Sequence, residues 1–242
     1  MALHFIVPDC TDAAVGDVIA LTGAEAKHAS VVRRVRVGET VTLGDGRGVW
    51  LEGAVDDVSA ARVTVRVSAR RMQETPESRI VLVQALAKGD RDELAVQAAC
   101  ELGVDEIVPW QAARSVSRWE GPKAAKGRER WATIVREAAK QAHRAWVPEV
   151  APVTTTAQLA ERAAGVRMLV LDPWTDARLS GIRSDGRDIV LVVGPEGGIA
   201  AEELERLEAA GAERVRLGDT VLRTSTAGPA AIAVLSAALG RW

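Results

Sequence analysis

The sequence contains no tyrosine and a single phenylalanine, although seven tryptophans occur among its 242 residues. Many proteins that bind single-stranded RNA stack bases on phenylalanine or tyrosine, and such a surface is scarcely available here. The only two cysteines, Cys10 and Cys100, lie far apart and outside any CxxC motif, which favours free thiols in a reducing compartment. The three histidines, His4, His28 and His143, are isolated from one another, so we expect no metal site.

Long hydrophobic runs are also missing. No stretch of about 18 apolar residues is present, so the sequence predicts no transmembrane helix. The first residues lack the basic segment and apolar run that are typical of a signal peptide. Apolar residues make up 48% of the chain and charged residues 26%, as in ordinary folded domains. We therefore expect a folded cytoplasmic protein with no membrane partner.

The net charge of −2 taken alone argues against a nucleic-acid partner, but the charges are unevenly distributed. Between Ala112 and Trp146 there are nine basic and three acidic side chains, and no acidic residue occurs between Lys27 and Arg36. Clustered basic residues are what phosphate binding requires. A solvated helix face of mixed charge gives a similar pattern, so the charge distribution leaves both interpretations open.

The hydrophobic pattern changes once along the chain, which predicts two domains, residues 1–72 and 73–242. Short alternating apolar segments in the first part indicate a small β-barrel or sandwich with one helix at Gly23–Val35. The polar segment Gln73–Ser78 is typical of a linker. Beyond it, apolar strands alternate with helices, the longest over Lys123–Ala145, and this alternation favours a mostly parallel α/β sheet.

Two segments near the C-terminus are candidates for a ligand pocket. Val193–Ile199 contains three glycines and follows a strictly apolar strand, and Leu217–Ala227 follows another predicted strand. Ligands of open α/β sheets bind at the carboxyl ends of strands, and glycine allows a backbone to approach a ligand closely. Neither segment matches a dinucleotide fingerprint or a phosphate-binding P-loop. Each could also be an ordinary turn or a capped helix, so the pattern alone predicts a backbone-lined pocket without naming the ligand.

Three motifs together resemble one family. GPEGG, LGxxVLRTxTA and the upstream KGDxxExxxQxxxELGV, which begins at Lys88, are similar to motifs of the RsmE family. These are SPOUT-superfamily methyltransferases that modify N3 of one uridine in 16S rRNA. The resemblance covers nearly the whole chain, with departures at His4, where the family often has Arg, at Arg33, which replaces a Leu, and at Ser225, where it often has Glu. A catalytic acid at position 225 therefore cannot be transferred to this chain.

The resemblance implies a fold and a cofactor. The expected fold is an α/β SPOUT methyltransferase domain with a C-terminal trefoil knot, preceded by a small PUA-like β-barrel. The expected cofactor is S-adenosyl-L-methionine, bound by the knot loops Leu171–Trp174, Val193–Gly198 and Leu217–Arg223. The cofactor-binding residues that it implies are Leu171, Val193, Gly194, Pro195, Glu196, Gly197, Gly198, Leu217, Gly218, Val221, Leu222, Arg223 and Thr226.

The resemblance also implies a reaction and partners. N3 of uracil carries a proton and is a poor nucleophile until that proton is lost. We therefore expect a proton acceptor, or a cation, beside the uracil. We assign Arg223 to stabilise negative charge on the base carbonyls, and Glu196 to orient it or to accept the proton. Alternatively, Glu196 caps backbone amides in its loop. The expected partners are 16S rRNA in the small ribosomal subunit and a second copy of the chain in a homodimer, with no metal. The residues assigned to RNA are Arg34, Lys88, Arg114, Lys140 and Arg144.

Two alternatives remain at this stage. Another SPOUT enzyme could act on a ribose 2′-hydroxyl or on tRNA, although the N-terminal part and the KGD…ELGV segment argue against it. A non-catalytic RNA-binding protein could retain the same fold, and binding of S-adenosylmethionine distinguishes it. A nucleotide-dependent enzyme that uses GPEGG as a phosphate loop is disfavoured, because the lysine and hydroxyl neighbours of such loops are missing.

Overall fold

The computed structural model describes residues 2–242, which form two compact units. One unit extends to Thr75 and also includes Ala139–Val147, and the other comprises Pro76–Ala138 and Pro148–Trp242. The return of residues 139–147 to the first unit depends on contacts between segments distant in sequence. The predicted domains, residues 1–72 and 73–242, and their functional roles stay a prediction.

The first unit is built on a five-stranded sheet in the order β1-β3-β4-β5-β2. β1 runs parallel to β3, and the other neighbours are antiparallel. Buried valines alternate with exposed residues along β5, as expected for a sheet with one face on a core. At a bulge between β4 and β5, a Cβ on Gly53 would lie 2.5 Å from the carbonyl oxygen of Arg66, so this position requires glycine. The strands are β1 (Leu3–Ile6), β2 (Val18–Thr22), β3 (Thr40–Gly44), β4 (Val49–Val58) and β5 (Arg62–Met72).

The helix predicted at Gly23–Val35 is shorter and changes its winding. α1 covers Gly23–Lys27 and continues as a π-helix over His28–Val32. The N–H of Arg33 donates to the carbonyl of His28, five residues earlier, at 2.8 Å. Arg34 then adopts φ 53°, a left-handed conformation in which a helix cannot continue.

His4 lies in a buried cluster of the first unit rather than on its surface. Its ring stacks on Trp50 with centroids 4.3 Å apart, and its Nδ1 lies 3.0 Å from the hydroxyl of Thr42. Burial, helped by the nearby positive groups His143 and Lys140, lowers the pKa of His4 from 6.5 to about 4. The folded protein therefore holds this imidazole neutral.

We expect this histidine to make stability depend on pH. Between pH 6.5 and 4 the unfolded chain binds a proton on His4 that the folded state does not, so stability falls as pH is lowered through this range. The loss reaches up to about 3 kcal/mol. The measurement is urea unfolding from pH 7 to pH 4. His4→Phe, which can stack but cannot titrate, should lose less stability over that interval, and equal losses in both proteins would contradict the assignment.

The second unit confirms the predicted parallel α/β sheet. Its six strands are all parallel and lie in the order β11-β9-β10-β6-β7-β8. β6 and β10 are buried along their whole length, which explains why both appear in the sequence as nearly continuous apolar runs. The strands are β6 (Ile80–Ala85), β7 (Glu106–Trp110), β8 (Glu149–Val150), β9 (Arg167–Leu171), β10 (Ile189–Val193) and β11 (Glu213–Val215).

Five helices follow these strands in the chain. α3 ends four residues before the predicted Ala145, because His143 adopts φ 54° and the N–H of Arg144 bonds to the carbonyl of Ala139. This is a left-handed helix terminus. Within residues 2–242, no helix has the length and apolar character needed to cross a membrane. The helices are α2 (Arg91–Glu101), α3 (Pro122–Gln141), α4 (Thr156–Glu161), α5 (Ala201–Ala209) and α6 (Thr224–Ala238).

The amino ends and the carboxyl ends of the strands in the parallel sheet carry different chemical groups. At the amino ends of the strands, carboxylates and guanidinium groups pair with one another. Glu106 bridges Arg79 and Arg162, and Arg167 pairs with Glu213. The carboxyl ends of β9, β10 and β11 instead open on a cavity, which lies entirely within the second unit.

Candidate functional site

The cavity has a volume of about 660 Å³ and is lined by three loops that leave β9, β10 and β11. Such a volume is typical of small-molecule and cofactor sites. Of the thirteen residues assigned to the cofactor, twelve line it. Thr226 does not, because it lies in the first turn of α6 and its hydroxyl donates to the carbonyl of Arg223 at 3.1 Å.

The glycine-rich loop after β10 is fixed by a buried side-chain relay. Gln84, fully buried in β6, donates from its Nε2 to the hydroxyl of Thr224 at 2.8 Å, and that hydroxyl donates to the carbonyl of Gly194 at 2.9 Å. A Cβ on Gly194 would lie 2.6 Å from the side chain of Ile199, so the loop is closely packed as well. The relay therefore joins a central strand, the start of α6 and the cavity wall.

Glu196 contacts a neighbouring loop. The backbone N–H of Lys88 and Nη1 of Arg91 each donate to its Oε1 at 3.0 Å. The pKa of Glu196 is lowered: partial burial alone would raise it, but its own backbone N–H, that of Lys88 and the Arg91 guanidinium together outweigh the burial. A carboxylate held in this way is a weaker base than an ordinary glutamate.

Arg223 stands at the boundary between a cavity loop and α6. It is the N-cap residue, and its carbonyl accepts hydrogen bonds from the N–H groups of Thr226 and Ala227. Its side chain is exposed and lines the cavity. Within residues 2–242, no carboxylate lies within ion-pair distance of this guanidinium. The group is thus anchored through its backbone and available to a ligand through its side chain.

Asp172 and Arg214 form an ion pair that holds the loop after β9 in place, and the sequence motifs did not indicate this pair. The carboxylate of Asp172 accepts hydrogen bonds from Nε of Arg214 at 2.7 Å and from its Nη2, and from the backbone N–H of Trp174 at 3.1 Å. Both side chains line the cavity. This ion pair ties the loop after β9 to β11, and it joins positions 42 residues apart that share no local motif.

Some polar groups of the cavity wall lack partners in the protein. Across the described chain, the backbone N–H groups of residues 217–222 donate no hydrogen bond to protein atoms. Nε of Arg216, which also lines the cavity, is buried and unpaired among the described residues. Buried polar groups are normally paired, so the unpaired Nε of Arg216 indicates a missing acceptor. The N–H groups of residues 217–222 lie in a half-buried to exposed loop, and together with Arg216 they fit a ligand that offers hydrogen-bond acceptors.

The residues assigned to RNA differ in what they can reach. Arg34 and Lys88 are exposed, and Arg144 is half-buried. Arg114 is exposed at the cavity, where its Nη1 donates to the carbonyl of Gly197 at 3.1 Å. Lys140 is 8% exposed, and its Nζ lies 3.2 Å from a carboxylate oxygen of Glu25. An ammonium in that position has little access to phosphate, so we do not carry Lys140 into the proposed RNA surface.

In the basic stretch between Ala112 and Trp146, some side chains already bind other groups of the protein. Arg130 of α3 pairs with Glu93, and Arg128 donates to the carbonyl of Val150 at 2.7 Å. Lys123 and Lys126, at the start of α3, are exposed and make no ion pair within the described residues.

Among residues 2–242, no group of three or more histidine, cysteine or acidic side chains is arranged to hold a metal ion.

Comparisons with known proteins agree with this geometry. A family model described as an RNA methyltransferase domain matches residues 73–236. Ribosomal RNA small subunit methyltransferase E of Mycobacterium tuberculosis is 41% identical over all of this chain and 94% of its own length. The Bacillus subtilis protein of the same name is 32% identical over 89% of this chain and 88% of its own.

A solved structure extends the likeness to three dimensions. The crystal structure of ribosomal RNA small subunit methyltransferase E from Neisseria gonorrhoeae, bound to S-adenosyl methionine, is 30% identical and has a TM-score of 0.87 over 98% of both chains. A match in sequence over all of this chain and in fold over 98% of it shows that the chain belongs to the ribosomal RNA small subunit methyltransferase E family.

Proposed function

We propose that the protein transfers a methyl group from S-adenosylmethionine to N3 of a single uridine in the 16S rRNA of the small ribosomal subunit. The observation that carries this proposal is the cavity at the carboxyl ends of β9–β11, with unpaired backbone groups at residues 217–222 and Arg223 at its edge. Family membership and the cofactor bound to the Neisseria gonorrhoeae relative support it.

The residues present fit this cofactor. Its adenine and amino-acid ends offer donors and acceptors that can pair with the backbone of residues 217–222 and with Arg216, and the apolar side chains of Leu171, Leu217 and Val193 line the same space. When bound, S-adenosylmethionine supplies an electrophilic methyl group on a sulfonium. We further propose that these three loops form the trefoil knot typical of SPOUT methyltransferases, and that the first unit is the PUA-like domain.

The chain's own residues then act on the uracil. The target must be unpaired, because N3 lies on its Watson–Crick edge. The Arg223 guanidinium offers several N–H donors in one plane, which suits the carbonyl oxygens on which charge develops as N3 loses its proton. Glu196, paired with Arg91 and Lys88, fixes the glycine-rich loop against the KGD segment. Holding donor and acceptor in line supplies a further part of the rate.

The direct test is methylation of small ribosomal subunits isolated without the mark, followed by mapping of the modified nucleotide. We expect one new methyl group on N3 of one uridine. A methyl group on a ribose 2′-hydroxyl or in tRNA would replace this function with another SPOUT activity. Binding of subunits without binding of S-adenosylmethionine would indicate a non-catalytic protein.

We propose that Lys88, Arg114, Lys123 and Lys126 of the second unit, with Arg34 and Arg144 of the first, contact phosphates. We also propose that the enzyme works as a homodimer in the cytoplasm, where ribosomal subunits are assembled. Each unit carries basic residues of its own that can contact phosphates, and phosphate contacts set the register of an RNA without base contacts.

Binding of rRNA should therefore weaken steeply with salt. Each phosphate contact contributes roughly 0.7 to 0.9 to the slope of log affinity against log salt. Lys123→Ala combined with Lys126→Ala should flatten that slope by about 1.5 in a titration from low to physiological salt. Arg187→Ala is the control: it removes one exposed charge, which is paired with Asp185, at the amino ends of the strands, and should leave the slope unchanged. An unchanged slope in the double variant would remove the start of α3 from the RNA surface.

A further inference from the structure

Trp174 is the most exposed large apolar side chain among the described residues, at 83%. It lies in the loop after β9 and lines the cavity together with Val221 and Leu222, which are also exposed. An exposed tryptophan at the mouth of a cavity has a large apolar face that nothing in the protein covers. Such a face is a candidate contact for a partner.

The loop holds Trp174 in place although its side chain is free. The backbone N–H of Trp174 donates to the carboxylate of Asp172 at 3.1 Å, and that carboxylate is clamped by Arg214 of β11. The N–H of Asp172 donates to the carbonyl of Val215 at 2.9 Å. The indole is therefore presented from an anchored backbone, which lowers the entropy cost of using it in binding.

The charges around the cavity indicate which partner fits. Five arginines line it against two carboxylates, and both carboxylates, Asp172 and Glu196, are already paired with arginines of the set. Arg216 pairs with Asp219 beside the cavity, so Arg114 and Arg223 are the lining arginines without a carboxylate partner among the described residues. A nucleotide matches all of this chemistry at once, because its base has a flat face for the indole and its phosphates have charge for the arginines. The five arginines are Arg91, Arg114, Arg214, Arg216 and Arg223.

From this arrangement we infer that Trp174 stacks on an unpaired base of the RNA substrate, either the target uracil or its immediate neighbour, and thereby selects substrate in which that base is extruded. The inference rests on the proposed function. It also gives a role to a tryptophan in a chain with almost no other exposed aromatic platform: tyrosine is absent and the one phenylalanine, Phe5, is buried. Aromatic stacking of this kind is the usual way in which proteins hold unpaired bases.

The test compares Trp174→Ala, Trp174→Phe and Trp174→Leu with the wild type on unmarked small ribosomal subunits. Loss of one stacked base should raise the KM for subunits, and their dissociation constant, roughly 10- to 100-fold in Trp174→Ala. Phe should restore most of the affinity, whereas Leu, apolar but without a π-face, should not. Trp242→Ala removes a tryptophan that is 66% exposed and does not line the cavity, so it should behave as wild type.

Four other outcomes would overturn the inference. An unchanged KM and dissociation constant in Trp174→Ala, or full rescue by Leu, would exclude stacking. An equal loss of S-adenosylmethionine affinity in calorimetry would assign Trp174 to the cofactor, and a change of sedimentation in Trp174→Ala would assign it to a second copy of the chain. Methylation by the wild type reports separately on the proposed function, so its failure is distinguishable from failure at Trp174.

Discussion

Replacing Arg223 with alanine should lower the single-turnover rate of uridine methylation by roughly 100- to 1,000-fold. Loss of a donor aimed at developing negative charge has effects of this size in other enzymes. The structure supports the placement, since the backbone of Arg223 caps α6 while its side chain lines the cavity without a carboxylate partner among the described residues. Rapid-quench measurement with saturating cofactor and subunits isolates the chemical step.

Two substitutions serve as comparisons for Arg223. Arg223→Lys keeps the charge but loses the planar arrangement of donors, so its rate should fall between those of the wild type and the alanine variant. Arg206→Ala removes an exposed arginine of α5 that does not line the cavity, and its rate should equal that of the wild type. If Arg223→Ala weakened cofactor binding and kept the rate at saturation, Arg223 would be a binding residue only.

Glu196→Gln distinguishes two of the three roles considered for that carboxylate, acceptance of the N3 proton and pairing with backbone amides. Burial would raise the pKa of Glu196, but its own backbone N–H, that of Lys88 and the Arg91 guanidinium together lower it, so this glutamate is poorly suited to accept the N3 proton. We therefore expect a smaller loss than in Arg223→Ala, together with weaker cofactor binding as the glycine-rich loop loosens. A loss as large as that of Arg223→Ala, with cofactor affinity intact, would instead support Glu196 as the proton acceptor.

Much of the second unit could be predicted from the sequence because buried parallel strands have a distinctive composition. β6 and β10 are covered on both faces, so nearly every residue in them is apolar, and helices between them follow from the alternation. β8 has only two residues, too few for any periodicity. α4 does carry a local signal, a capping box between Thr155 and Gln158, but the helix itself is only six residues long.

The cavity was predictable in part for a different reason. Its loops contain continuous motifs, GPEGG and LGDTVLRTSTA, which a sequence displays directly. The groups that hold these loops in place are single residues on other strands, such as Gln84 on β6 and Asp172 after β9. Their partners lie 140 and 42 residues away, and no local pattern shows which distant side chain a buried amide or carboxylate will meet.

Substitutions in the hydrogen-bonded relay from Gln84 through Thr224 to Gly194 should lower the stability of the protein and change the shape of the cavity. Thr224→Val keeps the shape of the side chain but removes the hydroxyl that accepts from Gln84 and donates to Gly194. Each buried polar group that loses its partner costs about 1–3 kcal/mol, so the free energy of unfolding should fall by about 2–5 kcal/mol. Affinity for S-adenosylmethionine should fall as well, because Gly194 lines the cavity.

Urea unfolding and calorimetry with S-adenosylmethionine measure the two effects. Thr224→Ser retains the hydroxyl and should stay close to the wild type in both. The combined variant Gln84→Met/Thr224→Val is the sharper comparison. In Thr224→Val one N–H of the Gln84 amide still donates to the carbonyl of Ala85 at 3.1 Å, while the other is left without a partner, and the combined variant removes the whole amide. Replacing both partners by apolar groups can be nearly neutral, and Oε1 of Gln84 already lacks a partner among the described residues. The double variant should therefore be more stable than Thr224→Val alone yet still bind the cofactor weakly, since the Gly194 carbonyl remains unheld. Equal stability of the single and double variants would show that the Gln84–Thr224 hydrogen bond contributes little, and that Thr224 acts on the cavity through the Gly194 carbonyl alone.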